Sequence, residues 1–283
     1  MLNVIKMDLY RLVKTRSLYV ILIIIAAFMM LNVYMVQHEL KKVQLEQGEA
    51  SASQEMLAED SENSNLGISI DGSALVKESI TLQDEVTVMA SSGIMLLFTG
   101  IFVVIFVCGE STSGFIKNLV SSTKRRSYII VSKTVVMSVF VLFELLVMLV
   151  MTGIASSIFL DNMTFDFSGK LFQYLGLLFL LHTAFAVVII LISVLTRSVA
   201  ISMIISICLC TGIGALIIDF ISGIKIAGHQ IAAKLPDYLI TTNVQSLRST
   251  PSSEMIIRVI SVSAIAIIVY NVISCIVMEK RDI

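Results

Sequence analysis

Charge is what this chain has least of. Only 14% of its 283 residues are charged, while 57% are hydrophobic and the mean hydropathy is +0.93. A typical soluble domain carries about a quarter charged residues, so this composition points to lipid as the solvent. Cysteine is also sparse. Cys108, Cys208, Cys210 and Cys275 all lie in or at the ends of apolar runs, with no Cys-x-x-Cys pair among them. That excludes a disulfide framework and leaves them as small buried hydrophobes. Catalytic signatures are missing too: no His-Glu-x-x-His, no Gly-x-Ser-x-Gly, no paired-glutamate motif of intramembrane proteases. There is no phosphate loop of the Gly-x-x-x-x-Gly-Lys-Ser/Thr kind, and His38, His182 and His229 are scattered. The expectation is a chain that is not itself an enzyme, hydrolyses no ATP alone, and carries no catalytic residue, metal ligand or cofactor of its own. With a net charge of −1 it is not expected to bind nucleic acid. A cleavable signal peptide is not expected either, because the first apolar run is too long for one and no small-residue cleavage site follows it.

What is present is six long apolar stretches, at about 18–36, 88–108, 134–160, 171–196, 199–220 and 256–277. A helix needs about 20 apolar residues to cross about 30 Å of hydrocarbon, and each stretch meets that length. Backbone groups in lipid must be paired internally, which leaves helices or closed barrels. These runs are continuous rather than alternating, so the expected fold is an all-α polytopic membrane protein with six transmembrane helices.

The charges sort by side. With the N-terminus inside, the inner segments hold 12 basic and four acidic residues, a net charge of +8. The outer ones hold 8 basic and 16 acidic residues, a net charge of −8, and Glu144 lies within a span. This follows the positive-inside rule and predicts a multi-pass plasma-membrane protein with both termini cytoplasmic.

Residues 1–16 are too polar to span. Leu2, Ile5, Leu9 and Leu12 recur at helical spacing, with Lys6, Arg11 and Lys14 on other faces. They read as an amphipathic helix in the cytoplasmic interface, or as a basic flank that only sets topology. Residues 37–87 form an outer insertion with eleven acidic and three basic residues. Its first part, from Gln37 to about Leu57, can continue the first helix out of the membrane, and Ser61 to Gly72 reads as a turn. Spans four and five are joined only by Thr196-Arg197-Ser198, a tight hairpin. Residues 221–255 are too polar to span and too apolar for a free loop, which fits short helices dipping into the outer leaflet, broken at Pro236. The tail, 279–283, is cytoplasmic in this topology.

Two ionisable groups lie inside spans, Glu144 and His182. A charge at mid-membrane costs roughly 2.5–3.5 kcal/mol on insertion scales, so such groups face protein or water. They are either a cation, proton or substrate site, or a neutral glutamate hydrogen-bonded to a neighbouring helix, with His182 as a candidate partner. The inner loop between spans two and three is the most informative local sequence. It contains Glu110, Gly114, Phe115, Ile116, Lys117 and Leu119, followed by Lys124-Arg125-Arg126 and Lys133. Phe115, Ile116 and Leu119 give a short helix an apolar face that can insert as a knob into a groove of a soluble partner, with Glu110, Lys117 and Arg126 setting orientation.

This order of elements resembles the permease subunits of type-2 ATP-binding-cassette (ABC-2) exporters. That resemblance implies an N-terminal interfacial elbow helix (1–16), a six-helix transmembrane domain (17–36 and 88–278) and a coupling helix at about 110–122. It also implies a hairpin between spans four and five and an outer re-entrant segment at about 221–255. Glu110, Gly114, Lys117, Arg125 or Arg126, and Lys133 stand where the family pattern has its glutamate, glycine and basic residues. The implied partners are a cytoplasmic ABC ATPase, which would bind ATP and Mg, a second permease chain, and the lipid bilayer. The fifty-residue outer insertion is similar to the branch that handles antimicrobial peptides, bacteriocin immunity or sodium efflux. Two other readings stay open: an ion-coupled or sodium-efflux carrier using Glu144 and His182, and a membrane sensor whose outer insertion binds ligand.

Overall fold

The computed structural model describes residues 2–49, 80–115, 119–120, 125–159, 163–164, 168–213 and 238–280. Two helices open the chain, α1 (Leu2–Lys14) and α2 (Arg16–Glu49), with Thr15 alone between them. Thr15 makes the bend by donating its hydroxyl to the Arg11 carbonyl at 2.6 Å. Its own carbonyl accepts the Leu18 N–H at 3.1 Å. The 34 residues of α2 extend about 51 Å at 1.5 Å per residue, about 20 Å more than a hydrocarbon layer requires. Its apolar part is Arg16–His38, and the rest projects beyond it, as the sequence suggested for the residues after Gln37.

A two-residue strand, β1 (Ile80–Thr81), leads into α3 (Leu82–Ser91) and pairs in parallel with β2 (Met163–Thr164), Ile80 opposite Met163. The start of α3 is a capping box: the Thr81 hydroxyl accepts the Asp84 N–H while the Asp84 carboxylate accepts the Thr81 N–H. Here the structure corrects the sequence reading. The apolar run 88–108 is not one helix, because α3 stops at Ser91 and α4 (Ile94–Thr112) starts afresh beyond Gly93. Gly93 has φ 73°, a left-handed conformation that interrupts a helix and that glycine adopts without a Cβ penalty.

The remaining helices are α5 (Ser127–Phe159), α6 (Gly169–Thr196), α7 (Val199–Cys210), α8 (Ile240–Ser246) and α9 (Ser253–Lys280). Among the described residues, five helices are long and apolar enough to cross a membrane: the first part of α2, then α4, α5, α6 and α9. The chain is thus a polytopic helical membrane protein. The expected span at 199–220 is again not a single described helix. After its 12 residues α7 ends at Thr211 and Gly212, the latter with φ 75°, and 214–220 lie outside the described residues. The tight hairpin is as expected: Arg197 caps α6 in the left-handed region at φ 52°, donating its N–H to Ser193 O at 3.0 Å. The Ser198 side chain then caps α7. Also outside the described residues are the turn expected at 61–72, Pro236, and the tail from Arg281 onward.

The bundle is built round α6, which packs against α4, α5, α7, α8 and α9. Two thirds of the apolar windows of α4 and α6 are buried, against 22% for α9, so α4 and α6 form the interior and α9 lies on the outside. α2 lies along α5, and α1 packs against the first turns of α5. Phe102 of α4 stacks on Phe140 of α5 with centroids 3.9 Å apart. Where α4 meets α7, Gly100 faces the Ser206 hydroxyl, and the two backbones approach closely because neither position carries a large side chain.

Candidate functional site

The densest polar constellation lies where α1, the end of α4 and the start of α5 converge. Glu110, in the last turn of α4, is fully buried, and its two carboxylate oxygens are shared between two cations. Arg11 of α1 takes Oε1 and Lys133 of α5 takes Oε2. Lys133 is 2% exposed, so this is a buried ion pair. Asp8, one turn before Leu12 on the same helix, is also fully buried and accepts the Ser132 hydroxyl at 2.6 Å. Burial pushes the Asp8 carboxyl above the ordinary range, against the lowering effects of Lys133 and the Ser132 hydroxyl. A buried charge is tolerated only when paired and hydrogen-bonded: Glu110 is paired with Arg11 and Lys133, whereas Asp8 has the Ser132 hydroxyl on Oδ2 and no hydrogen-bond partner on Oδ1.

Arg11 also joins this cluster to the segment after α4. Its guanidinium lies over the Phe106 ring at 4.7 Å and over the Phe115 ring at 5.5 Å. It further donates to the Phe106 carbonyl at 3.4 Å. A planar, weakly hydrated cation is well suited to lie between two rings while pairing a carboxylate. Between the rings the chain turns at Ser113 and Gly114, the latter with φ 69°.

Several sequence-derived residues fall differently from expectation. Glu110 does not face outward to orient a partner, because Arg11 and Lys133 hold its carboxylate inside the chain. Of the apolar residues of α1, Leu12 is buried and Leu9 is half-buried against the core, while Leu2 is 80% exposed and Ile5 half-buried. The stripe that meets the bundle is Val4, Asp8 and Leu12. Phe115 is half-buried, Leu119 is buried, Arg125 is exposed and Arg126 half-buried. Ile116 and Lys117 lie outside the described residues. Asp8 and Arg11 carry little signal as site residues in the sequence: one acidic side chain in an otherwise cationic helix, one turn from a leucine.

Glu144 and His182 are both buried, on α5 and α6. No hydrogen bond joins them. The Glu144 Oε2 accepts the Thr99 hydroxyl of α4 at 2.6 Å, and Oε1 has no hydrogen-bond partner. The His182 Nδ1 bonds the Leu178 carbonyl at 2.9 Å within its own helix, and Nε2 has no partner. The neighbouring-helix bond expected for Glu144 therefore exists, with Thr99 in the place suggested for His182. Among the described residues, no group of three His, Cys, Asp or Glu side chains could hold a metal ion.

No family model matches this chain, and no curated protein matches it.

Proposed function

We propose that this chain is the permease subunit of an ATP-driven exporter, working with a separate cytoplasmic ATPase and a second permease chain. In this reading α1 is the interfacial elbow and the bundle has six spans. The fifth is the apolar run 199–220, of which α7 is the described helix and 214–220 lie outside the described residues. Both termini are cytoplasmic, so the cluster of α1, α4 and α5 lies at the inner face, where an ATPase docks. The observation that carries the reading is the Arg11–Glu110–Lys133 clamp. It fastens α1 and α5 to the end of α4, immediately before the Gly114–Phe115 turn. A push on the segment after α4 is thereby delivered to two other helices together, since a buried ion pair resists being pulled apart. The substrate class is a peptide, antimicrobial or similar amphiphile, in keeping with the acidic insertion.

A carrier that uses Glu144 and His182 is the second reading, favoured by the unpartnered Glu144 Oε1 and His182 Nε2. Against it, the remaining Glu144 oxygen is engaged in helix packing through Thr99. Transport by the purified chain in liposomes separates the two. The carrier moves substrate down an ion gradient with no ATPase present, and the exporter subunit does not.

A further inference from the structure

At the end of the bundle away from α1, a carboxylate is buried with nothing to hold it. Glu85 of α3 is fully buried, and neither of its oxygens has a hydrogen-bond partner. It shares one helical face with Leu82, Val86 and Met89, all 2% exposed or less. α3 packs against α5, α8, α4 and β1. α8 and β1 carry no titratable side chain. The acidic and basic groups of α4 and α5 are Glu110 and Lys133, paired at the α1 end, and Glu144, held by Thr99. Tyr174 of α6 approaches α3 at Thr87, and Asp84, next in the chain, is engaged in the cap with Thr81. Among the described residues no cation is paired with Glu85, and the nearest basic residues in sequence to its neighbours, Lys170 of α6 and Arg248 beside Ser249, are exposed.

α3 is bounded at both ends as a separate helix, although Leu82, Val86, Val88, Met89 and Ala90 seat it in the core. It starts at its own capping box and stops at Ser91, and its link to α4 is the left-handed Gly93. Among the described residues its side-chain ties to other elements are through Gln83: its amide donates to the Ser249 carbonyl, and the Ser168 hydroxyl donates to it at 3.5 Å, while β1, directly before α3, pairs with β2. We propose that α3 is a proton-operated lid: with Glu85 protonated it lies docked on the bundle, and loss of that proton releases it about Gly93. Ionised, Glu85 must be hydrated, and only undocking brings water to it. Burial, assisted by the charge of Asp84, pushes its carboxyl up to about 7, so the switch falls near neutral pH. The sign follows. The docked state binds the proton more tightly than the open one, so docking weakens as pH rises from the ordinary carboxylate range to about 7, and levels off above it. The lid depends on the described fold alone and stands or falls apart from the exporter reading.

Hydrogen exchange on the purified full chain in lipid nanodiscs, corrected for intrinsic exchange, tests this. The expected result is that protection of the amides of 82–91 falls about 50-fold between pH 5 and pH 7.5, while α4 does not change. Glu85→Gln keeps α3 protected at both pH values, and Glu85→Leu does the same should the glutamine variant fail to fold. Asp84→Asn retains the step. Equal protection of wild-type α3 at both pH values overturns the proposal, as does a pH step that survives in the Glu85 variants.

Discussion

Arg11, on the first helix of the chain, and Glu110, 99 residues later in the last turn of α4, form an ion pair that Lys133 completes from α5. Three helices far apart in sequence are thus fixed to one buried carboxylate. The charges are few in this chain, and four of them have been placed together inside it.

Removing the carboxylate should cost more than removing either cation. Glu110→Gln leaves Lys133 buried without its anion, and the expected destabilisation is about 3–5 kcal/mol, the range for breaking one side of a buried pair. Arg11→Ala should cost less, because Arg11 is partly exposed. Thermal unfolding in mild detergent measures both, and the double variant should lose less than the sum of the two.

Asp8 sets a pH dependence on α1. Its folded carboxyl is raised by burial above the ordinary value of 3.8, so the docked helix binds this proton more tightly than the undocked one. Docking of α1 should therefore weaken as pH rises from about 3.8 through the folded value. Asp8→Asn, which can still accept the Ser132 hydroxyl, should remove this component. Limited proteolysis after Lys14 or Arg16, followed across pH with a pH-insensitive protease ratio as control, reports it.

Glu144→Gln separates a packing role from a transport role. The glutamine carbonyl still accepts the Thr99 hydroxyl, so stability should change by less than about 1 kcal/mol, the scale of one neutral hydrogen bond. Under the exporter reading, transport survives. Loss of transport with unchanged stability would favour the carrier.

The α4–α7 contact should be sensitive to one methyl group. A Cβ added at Gly100 would lie 2.1 Å from the Ser206 hydroxyl oxygen, so the hydroxyl must leave its present rotamer. Gly100→Ala should destabilise by about 1 kcal/mol, the scale of one displaced side-chain rotamer. Adding Ser206→Ala should restore most of that loss, because the Ser206 Cβ is at an ordinary 3.5 Å. Unfolding midpoints of the two variants give the comparison.

The membrane fold was legible because hydropathy is additive along the chain: the core of α5 or α6 can be read from its residues without knowing any neighbour. The breaks were not. The run 88–108 is apolar throughout, and what divides it is the φ of one residue, Gly93, together with a cap at Thr81 that precedes the run. The inward side of α1 is illegible for a different reason. Apolar spacing marks Leu2, Ile5, Leu9 and Leu12, whereas the burial of Asp8 and the pairing of Arg11 depend on Ser132, Glu110 and Lys133 elsewhere. For the inner loop, the region was identified from its residue types, but the inward direction of Glu110 could be seen only once α1 and α5 were in place.

The central claim, a permease driven through the segment after α4, is tested most directly by purifying the chain in mild detergent with a candidate cytoplasmic ABC ATPase and measuring association and ATP hydrolysis. The account expects a stable complex whose ATPase activity falls at least tenfold with Phe115→Asp, and likewise with Gly114→Pro, while Glu144→Gln leaves it unchanged. Association and ATP hydrolysis that are indifferent to both Phe115→Asp and Gly114→Pro would contradict it.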